Sequence, residues 1–453
     1  MRCDTRDTSR TASIISYIDA PVFDSLTGQL STIRHHVLDG PASISCSFAP
    51  EYTIILPQPP EKPFQESTKD EETYKPRKRR RKSVQERSPL DWINARQQDD
   101  KLHEPDQQER KQHTRLVPML EAGIAGLQEA QADTPWVAKG SLAVQWMHER
   151  PSDRKEMPFS EIVSRDGTLP SFRNDNIDVA DSDGRFQVSL LVNRIVQNTT
   201  KEFKQIEVEH EKEVCNVVMP PSSAFALSDF ASWSEPALGI GKLGQQHGGW
   251  DVIVIDPPWP NASASRSSTY GTFDPYSLGK LDLKGIMGSH PTLVACWVTN
   301  RVKYRKLLRD KLMPSWGVEK TCDWYWIKTT ANGEPIWPLD GNHRRCYEGL
   351  MVGWYNPEGV KNLSDLPPAK LFMSTLLGHS RKPCILDLLE PFLPPERQRL
   401  NILELFARTV LSGTDRGLYC SLGNECIKFN VVDDETAGHV MGWVKPAKSS
   451  IDP

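Results

Sequence analysis

A chain of 453 residues has room for about three domains. Its 55 Lys+Arg against 59 Asp+Glu leave a formal charge of −4, which excludes a histone-like polycation and an acidic tail protein but permits a local basic patch that binds nucleic acid. Hydrophobic content of 38%, 35 prolines and a mean hydropathy of −0.51 fall short of the about 45–50% apolar usage of ordinary domains, so part of the chain is expected to stay outside a core that the rest can still build.

The first six residues, Met1-Arg2-Cys3-Asp4-Thr5-Arg6, lack the apolar core of a secretory signal, and no window approaches the ~18 consecutive apolar residues of a membrane helix. Residues 1–113 read as a mostly disordered leader. Within it Lys75-Pro76-Arg77-Lys78-Arg79-Arg80-Arg81-Lys82 is basic at seven of eight positions, a pattern of nuclear localisation or of a nucleic-acid tether, and equally of a solvated linker. The polar tract over 97–115 belongs to the same leader, because such text cannot bury enough apolar surface to offset chain entropy. Residues 114–220 read as an accessory region. Apolar positions at 116, 117, 119, 120, 124 and 127 fit one helix face, and 186–195 reads as a strand. The nine cysteines form no Cys-x-x-Cys pair, so neither a metal site nor a disulfide framework is expected, and free thiols in a reducing compartment are the simplest reading.

The text changes near Pro221, where a catalytic domain is expected over 221–446, followed by a tail at 447–453. Eight of the 13 tryptophans lie between Trp250 and Trp354. The glycines at 239, 241, 244, 248 and 249 match no dinucleotide fingerprint, and 238–249 reads as a linker. Val252-Ile253-Val254-Ile255 reads as a strand buried on both faces, and 292–298 as a second. A helix over 301–313 follows, then strands over 318–328, 348–355 and 371–377, a helix over 385–393, and strands over 400–406 and 417–422. Strands alternating with helices predict an α/β domain with a mostly parallel sheet, whose ligands sit at the carboxyl ends of its strands.

At that end of the first such strand stands Asp256-Pro257-Pro258-Trp259. The tetrapeptide suits chemistry on the amino group of a base. The exocyclic amine of adenine is a poor nucleophile because its lone pair is conjugated into the ring. Acceptors on both amine hydrogens favour a pyramidal nitrogen. Asp256 supplies a charged acceptor and the Pro257 carbonyl another. Two prolines fix φ near −65° and remove two donors, leaving a rigid loop that presents acceptors. Trp259 and Tyr270 offer flat faces for stacking, worth ~1–3 kcal/mol per base. The plainer alternative is a proline turn after a core strand, with Trp259 as packing.

The tetrapeptide in this position resembles the signature of the eukaryotic N6-adenine methyltransferases, and the likeness is greatest to the methyltransferase-like protein 4 branch. The stretches that carry it are 225–230, 251–259, 297–301, 314–316, 324–328, 338–340, 347–350, 379–383, 404–408 and 423–425, spanning about 223–430. The resemblance implies a Rossmann-like methyltransferase fold with a permuted motif order and S-adenosyl-L-methionine as methyl donor. It implies that Ser228, Asp229 and Phe230 line the cofactor's adenine, and that Lys382 lies near the methionine carboxylate or the substrate. Glu404, Phe406 and Arg408 would lie beside the cofactor, and Asn424 and Glu425 would hold the ribose hydroxyls. Thr409 and Leu422 depart from the family's usual Asn and Trp, which loosens the carboxylate-binding details. The substrate it implies is adenine in nucleic acid: 2′-O-methyladenosine or adenosine of a small nuclear RNA first, DNA adenine as the alternative. A non-catalytic RNA-binding subunit is the alternative of another class, against which the intact tetrapeptide speaks. A monomer in the nucleus is expected, with a partner subunit left open. Two loops at the ligand edge, 261–273 and 329–345, supply candidate substrate contacts: Arg266, Ser267, Tyr270, Trp337, His343, Arg344 and Arg345. Solvated loop arginines are the plainer reading of the same positions.

Overall fold

The computed structural model describes residues 104–130 and 172–433 with internal gaps, the longest at 261–273, and short stretches at 15–23, 30–38, 54–57, 144–147, 159–165 and 439–440. The basic run 75–82 and the tail 447–453 lie outside the described residues.

A twelve-stranded sheet runs through the molecule. Nine of its strands position the site: β1 (Val196–Asn198), β2 (Ser223–Leu227), β3 (Val252–Ile255), β4 (Thr292–Val298), β5 (Val318–Thr329), β6 (Tyr347–Tyr355), β7 (Ala369–Thr375), β8 (Ile402–Leu405) and β9 (Tyr419–Gly423). Their order across the sheet is β7-β5-β6-β4-β3-β8-β9-β2-β1. From β4 through β2 the neighbours are parallel, whereas β6 runs antiparallel to both β4 and β5. The late strands β8 and β9 are inserted between the early strands β2 and β3. This is the permuted, mostly parallel α/β arrangement.

The apolar run of β3 explains its central place. Ile253 and Ile255 face a core built with helices α2 (Ser234–Gln246), α3 (Leu283–Met287) and α4 (Val302–Leu307, continued by a π turn at Leu308–Leu312). Val252 and Val254 face the opposite core, under α5 (Leu386–Leu389) and the tryptophans Trp297, Trp324 and Trp326. Alternation with period two thus buries all four residues, each contributing about 1.5–3 kcal/mol. At the amino end Asp251 Oδ2 accepts the Asn401 N–H at 2.8 Å, and the Asn401 side chain donates to the His247 and Gly249 carbonyls at 2.7 and 3.0 Å. This clasp aligns β3 with β8. At the other end the Asp256 N–H still pairs with the Leu405 carbonyl, so Asp256 and Phe406 leave the sheet side by side.

Three expectations change. The glycine-rich run is not a linker but most of α2. A Cβ on Gly241 would lie 3.0 Å from the Gly285 carbonyl oxygen, and one on Gly244 would strike the Trp250 ring, so these glycines let the helix approach α3 and the sheet. That close packing outweighs the ~1 kcal/mol helix penalty of each glycine. The segment expected as one strand over 186–195 divides into a strand, Arg185–Gln187, and a helical turn, Val188–Leu191. From residue 104 the polar tract expected in the leader is helical: the first helix, α1 (Glu104–Ala130), starts well before residue 114. Its buried Met119, Leu120, Ile124 and Leu127 pack on Tyr325, Ile327, Leu371 and Met373 of β5 and β7. Tertiary packing stabilises what the local composition alone would not. Farther along, Lys204–His210, Glu213–Met219 and Val431–Asp433 join a second, five-stranded sheet.

Candidate active site

The loop after β3 leaves at the sheet's carboxyl edge, as the sequence pattern predicts. Pro257 is buried and Pro258 exposed. The Pro257 carbonyl accepts the Trp259 N–H at 2.7 Å, which closes a tight turn and leaves its second lone pair free for another donor. Trp259 differs from its expected role as a base-stacking platform. The residue is only 8% exposed. Its indole N–H donates to the Trp297 carbonyl at 2.7 Å and its ring packs on Tyr304 at 5.4 Å. The tryptophan fixes the loop from below, because a ring of this size next to β4 finds more apolar contact in the core than in the cleft.

Asp256 carries an ion pair that sequence reading did not anticipate. Lys382 Nζ lies 3.0 and 3.1 Å from the two carboxylate oxygens and 3.0 Å from Glu348 Oε1, while Lys328 Nζ lies 3.0 Å from Glu348 Oε2. Charges alternate along the row Asp256, Lys382, Glu348, Lys328, with each side chain about four-fifths sheltered. Burial alone would raise the Glu348 carboxyl, but Lys328 and Lys382 overrule it and hold the group down at about 2. Burial would lower Lys382, but Asp256 and Glu348 carry it above the ordinary lysine range. Both stay ionised at neutral pH. Lys382 thus touches the Asp256 carboxylate, and the Trp297 ring lies 5.4 Å from its ammonium. Glu348 and Lys328 lie in stretches already singled out by resemblance, yet only the pairing of β5 with β6 brings them together.

Beside Asp256 the ends of β8, β9 and β2 form a second cluster. Phe406 takes φ +60°, a conformation non-glycine residues rarely adopt and one that recurs at ligand sites. Its ring lies 5.3 Å from that of Phe230. Gly423 faces the same turn, where a Cβ would come within 3.0 Å of the Ala407 carbonyl oxygen. Asn424 and Glu425 follow β9, half-buried, and Asp229 follows β2 likewise. Glu425 pairs with Arg408 at 3.5 Å and Lys428 at 3.2 Å. Ser228 is fully buried and donates to Asn193 Oδ1 at 2.7 Å, so its hydroxyl fastens the end of β2. Glu404 accepts the Tyr419 hydroxyl at 2.7 Å. Burial pushes Glu404 up to about 7; the Tyr419 hydrogen bond offsets part of this, and Asp256 adds to it. A carboxylate able to accept sugar hydroxyls, a pair of aromatic rings and a tight glycine turn fit a nucleoside. The donor set therefore suits the S-adenosyl-L-methionine that the resemblance implies.

Of the expected substrate contacts, Arg266, Ser267, Tyr270 and His343 lie outside the described residues. Trp337 and Arg344 meet each other, with the guanidinium 4.8 Å from the ring centre. Arg345 lies close enough to His113 to act on its titration. His113, on the first helix, locks this loop. One ring nitrogen donates to the Leu339 carbonyl at 2.7 Å and the other accepts the Tyr347 hydroxyl at 2.9 Å, with the two rings stacked at 5.8 Å. These partners require the neutral imidazole. Burial, then Arg345, pulls its pKa below the ordinary 6.5. The unfolded chain therefore takes up the proton first as pH falls. The latch is at full strength above about pH 6.5 and weakens as pH drops through the lowered folded value. Thermal melts should show wild type above His113→Ala at pH 7.5 and the gap shrinking towards pH 5. A gap independent of pH would uncouple the imidazole from the latch.

A covered, permuted parallel sheet with an acidic proline loop on its central strand and a nucleoside cradle beside it defines a Rossmann-like domain of the methyltransferase class. Residues 250–425 match the MT-A70 family. It is 33% identical over 286 residues to the human N(6)-adenine-specific methyltransferase METTL4, covering 61% of this chain and 56% of that one. It is 36% identical over 178 residues to the N6-methyladenosine RNA methyltransferase MTA1 of Pyricularia oryzae, covering 36% and 45%. It is 31% identical over 198 residues to the DNA N6-methyl methyltransferase of Caenorhabditis elegans, covering 43% and 50%. The chain spans about half the length of these curated relatives.

Proposed function

We propose that the chain is an S-adenosyl-L-methionine-dependent methyltransferase acting on the N6 amine of adenine in nucleic acid. The observation that carries this reading is the Asp256 carboxylate, held by Lys382 at the carboxyl end of β3 beside the Phe230–Phe406 cradle. Glu425, Asn424, Asp229 and the two phenylalanines would hold the cofactor. When bound, it supplies an electrophilic methyl group on a positively charged sulfur. Asp256 accepts one hydrogen of the target amine and the Pro257 carbonyl the other. Both contacts localise the nitrogen lone pair for attack. As the new N–C bond forms, the amine gains positive charge, which the Asp256 carboxylate stabilises and whose proton it accepts. Lys382 bonds both Asp256 oxygens and fixes the direction of the carboxylate.

The finer reading is an RNA enzyme that acts on 2′-O-methyladenosine or adenosine in a small nuclear RNA, as a monomer in the nucleus. The sequence resemblance to the methyltransferase-like protein 4 branch implies the small nuclear RNA substrate, the name of the Pyricularia oryzae relative favours RNA, and the basic run 75–82 supports the compartment. DNA adenine is the second reading, favoured by the name of the nematode relative. A duplex target would have to be flipped out, at a cost of a few kcal/mol. Three single-stranded oligonucleotides, identical except for 2′-O-methyladenosine, adenosine or deoxyadenosine at the target, separate the readings at fixed salt. The expected order of kcat/KM is the order just given. Deoxyadenosine in first place would sink the RNA reading, and transfer to none of them would sink the methyltransferase reading.

A further inference from the structure

We infer that the exposed lysines of α4, Lys303 and Lys306, with Arg301 at its start, hold the phosphate backbone of the nucleic-acid strand whose adenine enters the Asp256 site. The inference rests on the function proposed above and adds to it the surface along which the substrate lies.

Location is the first argument. The register of β4 against β3 sets Cys296 beside Ile255, so Trp297 lies next to Asp256. Trp259 donates to the Trp297 carbonyl and packs on Tyr304. The Lys303 ammonium lies 4.6 Å from the centre of the same Tyr304 ring. One aromatic ring thus joins the catalytic loop to the first lysine of the row.

Charge is the second argument. Residues 299–308 carry four basic side chains and no acidic one, in a chain whose net charge is −4. Arg305 is buried, binding Asp323 at 2.5 Å and the Tyr325 hydroxyl at 2.9 Å. Arg309, the next basic position along the helix, also binds Asp323. Lys303 and Lys306 differ. Both are exposed, and neither meets a carboxylate among the described residues. Three positions apart, they share a helix face with about 5–6 Å between their Cβ atoms, a spacing at which like charges oppose helix formation. A polyanion running past the catalytic loop relieves that repulsion, and the row ends where Arg309 turns to Asp323. The stripe is therefore short, and it suits two or three successive phosphates of one strand. Phosphate contacts of this kind position a strand without reading its sequence. The expected effect is accordingly the same for RNA and DNA.

The test uses the full chain and fluorescence anisotropy with labelled single-stranded RNA and DNA oligonucleotides across a salt series. Lys303→Glu/Lys306→Glu should weaken binding of both at least about 10-fold, and Lys303→Ala/Lys306→Ala should flatten the slope of log Kd against log salt by about 1.4, some 0.7 per lysine. Lys201→Glu, an exposed lysine beside β1 at the opposite edge of the sheet, makes the same net charge change as the double alanine variant and should leave the slope in place. Cofactor affinity by calorimetry should be equal in all variants, and the loss in turnover should fall on KM rather than kcat. An unchanged Kd and slope in the Lys303/Lys306 variants, with wild type binding, overturns the inference. So does an equal effect of Lys201→Glu. A wild type that binds cofactor but neither oligonucleotide overturns the nucleic-acid reading itself, and the stripe with it.

Discussion

Replacing Asp256 by alanine should lower methyl transfer by at least ~10²–10³-fold, the usual loss when one preorganised electrostatic contact to a charge-developing centre is removed. The fold should survive. Lys382 keeps Glu348 at 3.0 Å, so the change leaves no cation without a carboxylate. Cofactor affinity should stay close to that of wild type, because the Phe230–Phe406 pair and Glu425 lie on other strands. Asp256→Asn is the sharper probe. It keeps the shape and one acceptor oxygen but removes the charge that stabilises the cationic amine and the site that takes its proton. Its activity should fall nearly as far. Transfer of label from the cofactor to an adenine-containing oligonucleotide measures both, with a thermal melt as control for folding. Either variant keeping more than about half the wild-type rate would remove Asp256 from the mechanism.

The parts of this site legible in the sequence are those built from neighbours in the chain. Four β-branched residues in a row mark a strand buried on both faces, and β3 is that strand, with Asp256 at the edge such sheets use for ligands. The helix with apolar residues at 119, 120, 124 and 127 was equally readable, but its start was not, because the residues of its first turns are polar and their helicity is carried by packing farther along. The glycines of α2 misled for a related reason. A glycine run reads as a linker until Gly285 and Trp250 are seen pressed against it. The ion pair of Asp256 was least legible. Lys382 stands 126 residues away in sequence, and no local pattern marks it, Glu348 or Lys328 as partners. Only the sheet order, with β6 and β4 between β5 and β3, sets them in one row. The role of Trp259 lay between these cases. The sequence permits a stacking platform or a packing residue, and the carbonyl of Trp297 decides between them.

That decision makes Trp259 the site residue whose loss should cost the most stability. Trp259→Ala removes a side chain that is almost wholly buried, its contact with Tyr304 and its hydrogen bond to Trp297. Truncations of buried aromatic residues cost about 3–5 kcal/mol. In a unit of this size that corresponds to a fall in melting temperature of roughly 10 °C. Activity should fall with it, through a loosened turn at Pro257 and Pro258. Trp259→Phe separates the contributions, because it keeps a ring against Tyr304 and loses only the N–H donor. The Trp297 carbonyl then stays buried without that partner, at about 1–3 kcal/mol, so Trp259→Phe should melt between alanine and wild type. The order wild type, phenylalanine, alanine in melting temperature, with catalysis measured below each variant's transition, is the expected result. A Trp259→Ala protein that melts with wild type yet binds adenine oligonucleotides more weakly would restore the stacking role and place the indole in the cleft.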